Sequence, residues 1–240
     1  MKRSWVLWLV AFLITAGSAV YQRRTGPTYP VRGRAALAGQ AIAYEFMRSH
    51  STGADCAVRI ETGDPAVEGV LLWKRHKTRD AWRHVPMAHG AGALSAVLPR
   101  QPAAGKLDYS VELRKGAATL ALPPSGDIVI RFKGDVPAPV LVVHVIGIFG
   151  AMLLSTRAGL EALAGRPALR KHTLWTVGFL LVGGMILGPV VQKYAFGAFW
   201  TGWPFGHDLT DNKTAVAFLA WVGAWVASAR SRNPRRWMVF

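Results

Sequence analysis

Hydrophobic residues gather into four stretches that predict membrane-spanning helices. The first follows the basic start MKR and runs to Val20, in the form of a signal sequence or signal anchor. The others cover residues 137–156, 173–191 and 214–229. Spanning a ~30 Å hydrocarbon core takes about 20 apolar residues. We therefore expect a signal anchor over residues 1–22 and a three-helix domain over 137–240. Gly17-Ser18-Ala19 would also suit signal peptidase, and cleavage there would leave three spans.

Between the first two stretches the pattern changes to short runs with a period of two. In residues 107–114, Leu107 and Tyr109 point to one face, whereas Asp108 and Ser110 point to the other. Alternation of this kind indicates a strand with one buried and one solvated face. Similar runs recur at 41–48, 56–61, 69–76, 81–87, 93–99, 118–123 and 127–133, separated by turn residues. These runs predict an antiparallel β-sandwich over residues 39–136.

Two features give this domain a family resemblance. The Tyr109-Ser110-Val111 segment and Trp73 resemble features of immunoglobulin-like or fibronectin-type domains. The resemblance covers the β domain only. It implies a fold and no particular function.

The basic residues predict an orientation in the membrane. The chain carries 29 Lys and Arg against 13 Asp and Glu, a formal net charge of +16. Arg157, Arg166, Arg170 and Lys171 lie between the second and third spans, and the tail has Arg230, Arg232, Arg235 and Arg236. Only Lys193 and Lys213 flank the connection between the third and fourth spans. By the positive-inside rule, both chain ends are cytoplasmic and the β domain is extracytoplasmic.

Composition narrows the function classes. The basic residues form no stripe and match no nucleic-acid-binding motif, so we expect no nucleic-acid partner. Cys56 is the sole cysteine, which excludes an internal disulfide and a zinc site based on cysteines. The run around it alternates, so Cys56 is predicted to be a small buried residue. Residues 23–38, rich in Pro, Gly and Arg, are predicted to be a linker along the membrane surface.

The most distinctive connection is the loop over residues 193–213. Phe199, Trp200, Trp203 and Phe205 cluster there, next to Asp208 and Asp211. Aromatic rings with one apolar and one wet side settle at the membrane–water boundary. The loop is therefore predicted to lie at the outer surface as an interaction site. The two carboxylates could chelate a hard cation, although Asp is also a favoured helix N-cap.

A second hypothesis concerns histidines. His144 lies inside the second predicted span, where an ionisable side chain suggests function. His207 and Asp208 are predicted on the same outer side, so the three could form one metal or haem site. The alternative is that His144 hydrogen-bonds a neighbouring helix and that Asp208 caps a turn. In the β domain, His50, His76, His84 and His89 are irregularly spaced and are expected to be exposed, not metal ligands.

Two function classes follow. The first is a non-catalytic subunit or assembly factor of a larger complex of the bacterial inner membrane, such as a respiratory or photosynthetic one. Its partners would be the lipid bilayer and other membrane subunits. The alternative is a small redox or metal- or haem-binding membrane protein that uses His144, His207 and Asp208. No sequence motif identifies a cofactor, which therefore stays unknown. No Ser-His-Asp arrangement and no phosphate-binding glycine loop indicates an enzyme. A transporter would need internal repeats and charged intramembrane residues, which the predicted spans lack.

Overall fold

The chain has an α+β fold that divides into two compact units. The computed structural model describes residues 4–164 and 169–230. One unit contains residues 1–22 and 136–240, and its described residues are mainly helical, whereas the other contains residues 23–135 and is built of strands. We call them the helical unit and the β unit. The basic tail beyond residue 230, Arg166 and the MKR start lie outside the described residues.

Helix α1 covers Ser4–Thr25 and helix α2 covers Ala138–Ala164. Helix α3 (Leu169–Phe179) continues through a π-helical segment (Leu180–Leu187) into helix α4 (Gly188–Phe196). Pro189 follows the π segment closely. Because proline donates no backbone hydrogen bond and its ring crowds the carbonyl four residues back, a wider turn before it relieves the clash. Helix α5 covers Leu209–Arg230.

Three helical stretches of the described chain are long and apolar enough to cross a membrane: Ser4–Thr25, Ala138–Ala164 and Arg170–Phe196. Helix α5, predicted as the fourth span, is not among them. Its first turns carry Asp211, Asn212 and Lys213, and it ends at Arg230. The apolar part between these ends is shorter than the ~20 residues that a straight span needs.

The predicted loop over residues 157–171 is largely wrong, because α2 continues to Ala164. Arg157 and Glu161 are therefore helical residues, one turn apart, and they form an ion pair. Ala158 and Ala162 lie on the same stretch of helix, buried against Trp221 of α5. This ion pair and these contacts stabilise the extra turns. Glu161 thus lies in α2 but beyond the predicted span 137–156, which itself contains no acidic residue.

The β unit contains eleven strands. They are β1 (Val31–Leu37), β2 (Gln40–Phe46), β3 (Ser49–Ser51), β4 (Cys56–Glu61), β5 (Glu68–Arg75), β6 (Arg83–Pro86), β7 (Ala88–Gly90), β8 (Ala93–Leu98), β9 (Lys106–Lys115), β10 (Ala118–Leu122) and β11 (Ile128–Lys133). Strands β1 and β2 form a hairpin, and β4, β8 and β7 form a second sheet. The largest sheet has the order β3-β11-β9-β5-β6, with β10 also paired to β9. All pairs are antiparallel except β3 with β11.

The alternating pattern of the sequence places one face of each main strand in the core. In β9, Leu107, Tyr109, Val111 and Leu113 are buried, as their spacing predicts. Leu37 and Ile42 of the β1–β2 hairpin join the same core. The predicted linker 23–38 thus contains a strand. Its small and charged residues, VRGRAAL, hide the period of two, and pairing with β2 defines it.

Helix α2 and the π-helical segment pack closely through one glycine of each, Gly147 and Gly183. A Cβ atom added to Gly147 would lie 2.7 Å from Cα of Gly183, and one added to Gly183 would lie 2.7 Å from the carbonyl carbon of Gly147. No side chain fits at such distances. The absence of side chains at these two positions therefore lets the two helices approach each other closely.

Candidate functional site

The connection between α4 and α5 is organised by the buried carboxylate of Asp211, which is 8% exposed. One of its oxygens, Oδ2, accepts hydrogen bonds from the backbone N–H groups of Thr201 (2.7 Å) and Gly202 (3.0 Å). The same oxygen accepts from Nε2 of Gln192 (3.0 Å) and from the hydroxyl of Thr201 (3.3 Å). Hydrogen bonds to an ionised group are stronger than neutral ones. Asp211 thus fixes the middle of the loop from the first turn of α5.

Neighbouring groups extend this network. Oδ1 of Asn212 accepts a hydrogen bond from the backbone N–H of Trp203 (2.7 Å). The indole N–H of Trp200 donates to the carbonyl of Trp203 (3.1 Å). Asp208 is the N-cap of α5, because its Oδ1 accepts from the backbone N–H groups of Thr210 (2.8 Å) and Asp211 (3.3 Å). The structure therefore shows Asp208 and Asp211 as hydrogen-bond acceptors that order the loop.

The ordered loop exposes several large aromatic side chains. Trp203 is 76% exposed and Phe205 is 83% exposed, and Phe199 is exposed as well. The ammonium group of Lys193 lies 5.5 Å from the centre of the Phe199 ring, a cation–π distance. Trp200 is half-buried. Large apolar rings on an ordered backbone are typical of a contact surface, because their burial by a partner costs little ordering of the chain.

His144 bonds a neighbouring helix. Its Nδ1 lies 2.9 Å from the carbonyl oxygen of Gly183 in the π segment. A carbonyl can only accept, so Nδ1 carries the hydrogen of this bond. Among the described residues no three His, Cys, Asp or Glu side chains come together as metal ligands, so His144, His207 and Asp208 do not form such a group. His207 is exposed.

The histidines of the β unit have separate surroundings. Nδ1 of His76 lies 2.6 Å from the carboxylate of Asp108, and Nδ1 of His50 bonds the carbonyl of Ser51 at 2.9 Å. His84 and His89 are exposed. The expectation of exposed histidines therefore holds for His84 and His89, whereas His50 and His76 are half-buried and hydrogen-bonded.

The β unit carries a cationic and aromatic surface on β5, β6 and the connection between them. The Lys74 ammonium lies 5.0 Å from the Trp82 ring centre, and the Arg83 guanidinium lies 5.1 Å from that of Trp73. Arg75 binds Asp80 through two hydrogen bonds (2.6 and 3.1 Å), and these lower the pKa of the Asp80 carboxyl. A cleft of about 600 Å³ runs between these side chains.

Sequence reasoning missed the buried ion pair of the helical unit. Arg157 is 1% exposed and Glu161 is 2% exposed. Nη2 of Arg157 bonds Glu161 and also donates to the hydroxyl of Ser4 in α1 (3.2 Å). The guanidinium lies 5.2 Å from the Trp8 ring centre, and Trp8 meets the ring of His172 edge-on at 5.5 Å. The i, i+4 spacing of Arg157 and Glu161 was the available signal, but the basic residues around it suggested a loop.

Comparisons with known proteins do not assign this chain to a family. No protein-family model matches the sequence, and neither curated proteins nor solved structures give a match. The function must therefore be argued from the residues themselves.

Proposed function

We propose that this protein is a non-catalytic integral subunit or assembly factor of a larger complex in the bacterial inner membrane. The observation that carries the proposal is the loop between α4 and α5. There, a buried carboxylate network holds the backbone while Phe199, Trp203 and Phe205 remain exposed. A loop that served only as a connection would gain nothing from such an ordered, apolar surface.

The outward faces of the helices support the membrane part of the proposal. Large hydrophobic side chains are exposed along α1, α2 and the π segment, among them Phe12, Ile146 and Ile186. Such a surface is unfavourable in water but suits a lipid or a partner helix. We propose four spans with α5 as a short fourth one that the bilayer accommodates by local thinning, both chain ends in the cytoplasm, and the aromatic loop and the β unit on the extracytoplasmic side.

The β unit would supply a second contact surface, outside the membrane. Its cationic and aromatic side chains at Trp73, Lys74, Trp82 and Arg83 suit a partner with acidic groups. An immunoglobulin- or fibronectin-like sandwich, as the sequence pattern suggests, is part of this proposal.

The test is purification of the tagged full-length protein from its native membranes, followed by mass spectrometry of the proteins bound to it. We expect larger membrane subunits in stoichiometric amounts, and we expect Trp203→Ala/Phe205→Ala to lower their recovery about tenfold or more, as for two aromatic hot spots. Trp5→Ala, which removes an exposed aromatic side chain of α1, is the matched control and should retain them. Purification without any stoichiometric subunit would contradict the proposal.

The alternative, a haem- or metal-binding protein, has one observation in its favour. A histidine that binds a metal through one ring nitrogen commonly donates its other N–H to a backbone carbonyl, as His144 does to Gly183. The other two predicted ligands, His207 and Asp208, form no such group with it among the described residues. An absorption spectrum and metal analysis of the purified protein test this reading. A stoichiometric haem or metal that is lost in His144→Ala would replace the subunit proposal.

A further inference from the structure

A cleft in the helical unit ends at the buried Arg157–Glu161 pair. It has a volume of about 630 Å³, within the range of small-molecule sites, and it is formed by α1, the second half of α2, and α3. Its walls are mainly apolar, with Trp8, Leu153, Leu154, Trp175 and Phe179 among them. From Lys171 to Phe179 the cleft follows α3 for about 12 Å, at ~1.5 Å of rise per residue.

The polar end of the cleft contains hydrogen-bonding groups that the described residues do not satisfy. Nε and Nη1 of Arg157 are buried and have no hydrogen-bond partner among the described residues. The same is true of Oε2 of Glu161 and Nδ1 of His172. Such groups are costly to leave unpaired. Two donor nitrogens of Arg157 and one acceptor oxygen of Glu161 are thus left unused in the same ion pair.

The unsatisfied groups define the ligand they would take. The guanidinium donors of Arg157 require an acceptor with several oxygens, for which phosphate is well suited. Oε2 of Glu161 requires a donor, such as a hydroxyl. Lys171 and Arg157 together outweigh Glu161 by one positive charge, which favours a ligand with one negative charge. The apolar walls require a hydrocarbon chain.

We propose that this cleft binds an anionic glycerophospholipid whose headgroup carries hydroxyls, as phosphatidylglycerol does. The phosphodiester would approach Arg157 and Lys171, a headgroup hydroxyl would donate to Glu161, and an acyl chain would follow Leu154 and Phe179. A quinone head has only acceptors, and a choline headgroup has no N–H or O–H donor. The inference rests on the proposed membrane location but not on the proposed partner subunits.

Native mass spectrometry of the full-length protein, in mixed micelles with each lipid, tests this proposal. We expect one phosphatidylglycerol to bind at least about tenfold more tightly than phosphatidylcholine or phosphatidylethanolamine. Leu154→Trp should reduce binding of all three lipids because it fills the cleft and keeps the charges. Arg157→Glu/Glu161→Arg should abolish the preference while it retains an ion pair at the same spacing. Arg230→Gln, which removes an exposed arginine at the end of α5, should change nothing.

Thermal melting followed by circular dichroism establishes that each variant is folded. Equal affinity for the three lipids, a stoichiometric quinone, or no bound lipid in the folded wild-type protein would each overturn the proposal. Loss of the co-purifying subunits with lipid preference intact would count against the proposed function alone. If cell fractionation recovers the protein outside the membrane fraction, both the proposed function and the proposed lipid site lose their basis.

Discussion

The β unit and the helical unit differ in which side chains they bury. In the β unit the buried set is apolar, with Phe46, Leu71 and Phe132 at its centre and Thr62 as its one buried polar residue among those described. In the helical unit the buried apolar residues of the described chain are all alanines, whereas Arg157, Glu161, Thr173, Thr176, Asp211 and Ser228 are buried polar ones. Many of its large hydrophobic side chains are exposed instead.

This difference indicates what surrounds each unit. In water, burial of apolar area is the main favourable term of folding, as the core of the β unit shows. Where the surroundings are themselves apolar, helices gain little from burying leucine, and small residues and interhelical hydrogen bonds take over. The interior of the helical unit follows the second pattern. It is what we expect if lipid or partner helices cover the outside.

The largest expected effect is in the helical interior. Glu161→Ala leaves Arg157 buried without its ion-pair partner, which should lower the free energy of unfolding by roughly 3–5 kcal/mol. Denaturant unfolding in detergent micelles measures it. Glu45→Ala is the control, because Glu45 pairs with Arg32 on the exposed surface of the β unit. An equal loss in both variants would show that the helical pair is not desolvated as the structure indicates.

The second largest loss of stability is expected in the apolar core of the β unit. Leu71→Ala removes a fully buried side chain of β5 and should cost about 2–5 kcal/mol of unfolding free energy. Ile146→Ala removes an equally apolar side chain that is exposed on α2, so in micelles it should stay within about 0.5 kcal/mol. Chemical unfolding of both variants provides the measurement. If Ile146→Ala were as harmful as Leu71→Ala, the two units would not differ in the way proposed.

A pH effect is expected in the β unit. Burial raises the pKa of the Cys56 thiol from 9.0 to about 11. Between these values the unfolded chain releases the proton and the folded chain keeps it, so stability falls as pH rises, by roughly 2–3 kcal/mol across the range. Unfolding of wild type and Cys56→Ala at a series of pH values isolates this contribution. Parallel pH curves for the two proteins would contradict the burial of Cys56.

The smallest expected effect separates the two loop carboxylates. Asp211→Asn weakens the oxygen that accepts from Thr201, Gly202 and Gln192, and should cost about 1–3 kcal/mol. Asp208→Asn is the matched control, because Asn caps a helix as well as Asp does. Thermal melting compares the stability of the two variants. A larger loss of thermal stability in Asp208→Asn than in Asp211→Asn would mean that the helix cap, and not Asp211, organises the loop.

The sequence predicted those elements whose pattern has a clear period. The alternation in β9 identified its buried face, and the apolar runs identified the existence of α1, α2 and the α3–π–α4 helix, although α2 extends eight residues beyond the predicted span. Strand β1 was missed because small and charged residues obscure its period, and only pairing with β2 defines it. The end of α2 was missed because Arg157 was taken with the basic residues that follow it.

The amino-acid sequence by itself determined that the chain is α+β and that its apolar residues form long helical runs. It also showed that several aromatic residues lie next to Asp208 and Asp211 in the connection 193–213. These follow from local periodicity and composition. Only the tertiary structure decided what the polar residues do. It turned Asp211 inward as the centre of the loop and placed the hydrogen bond of His144 on Gly183. It also enclosed Arg157 with Glu161 beside a cleft, because a partner distant in sequence is known only once the helices have packed.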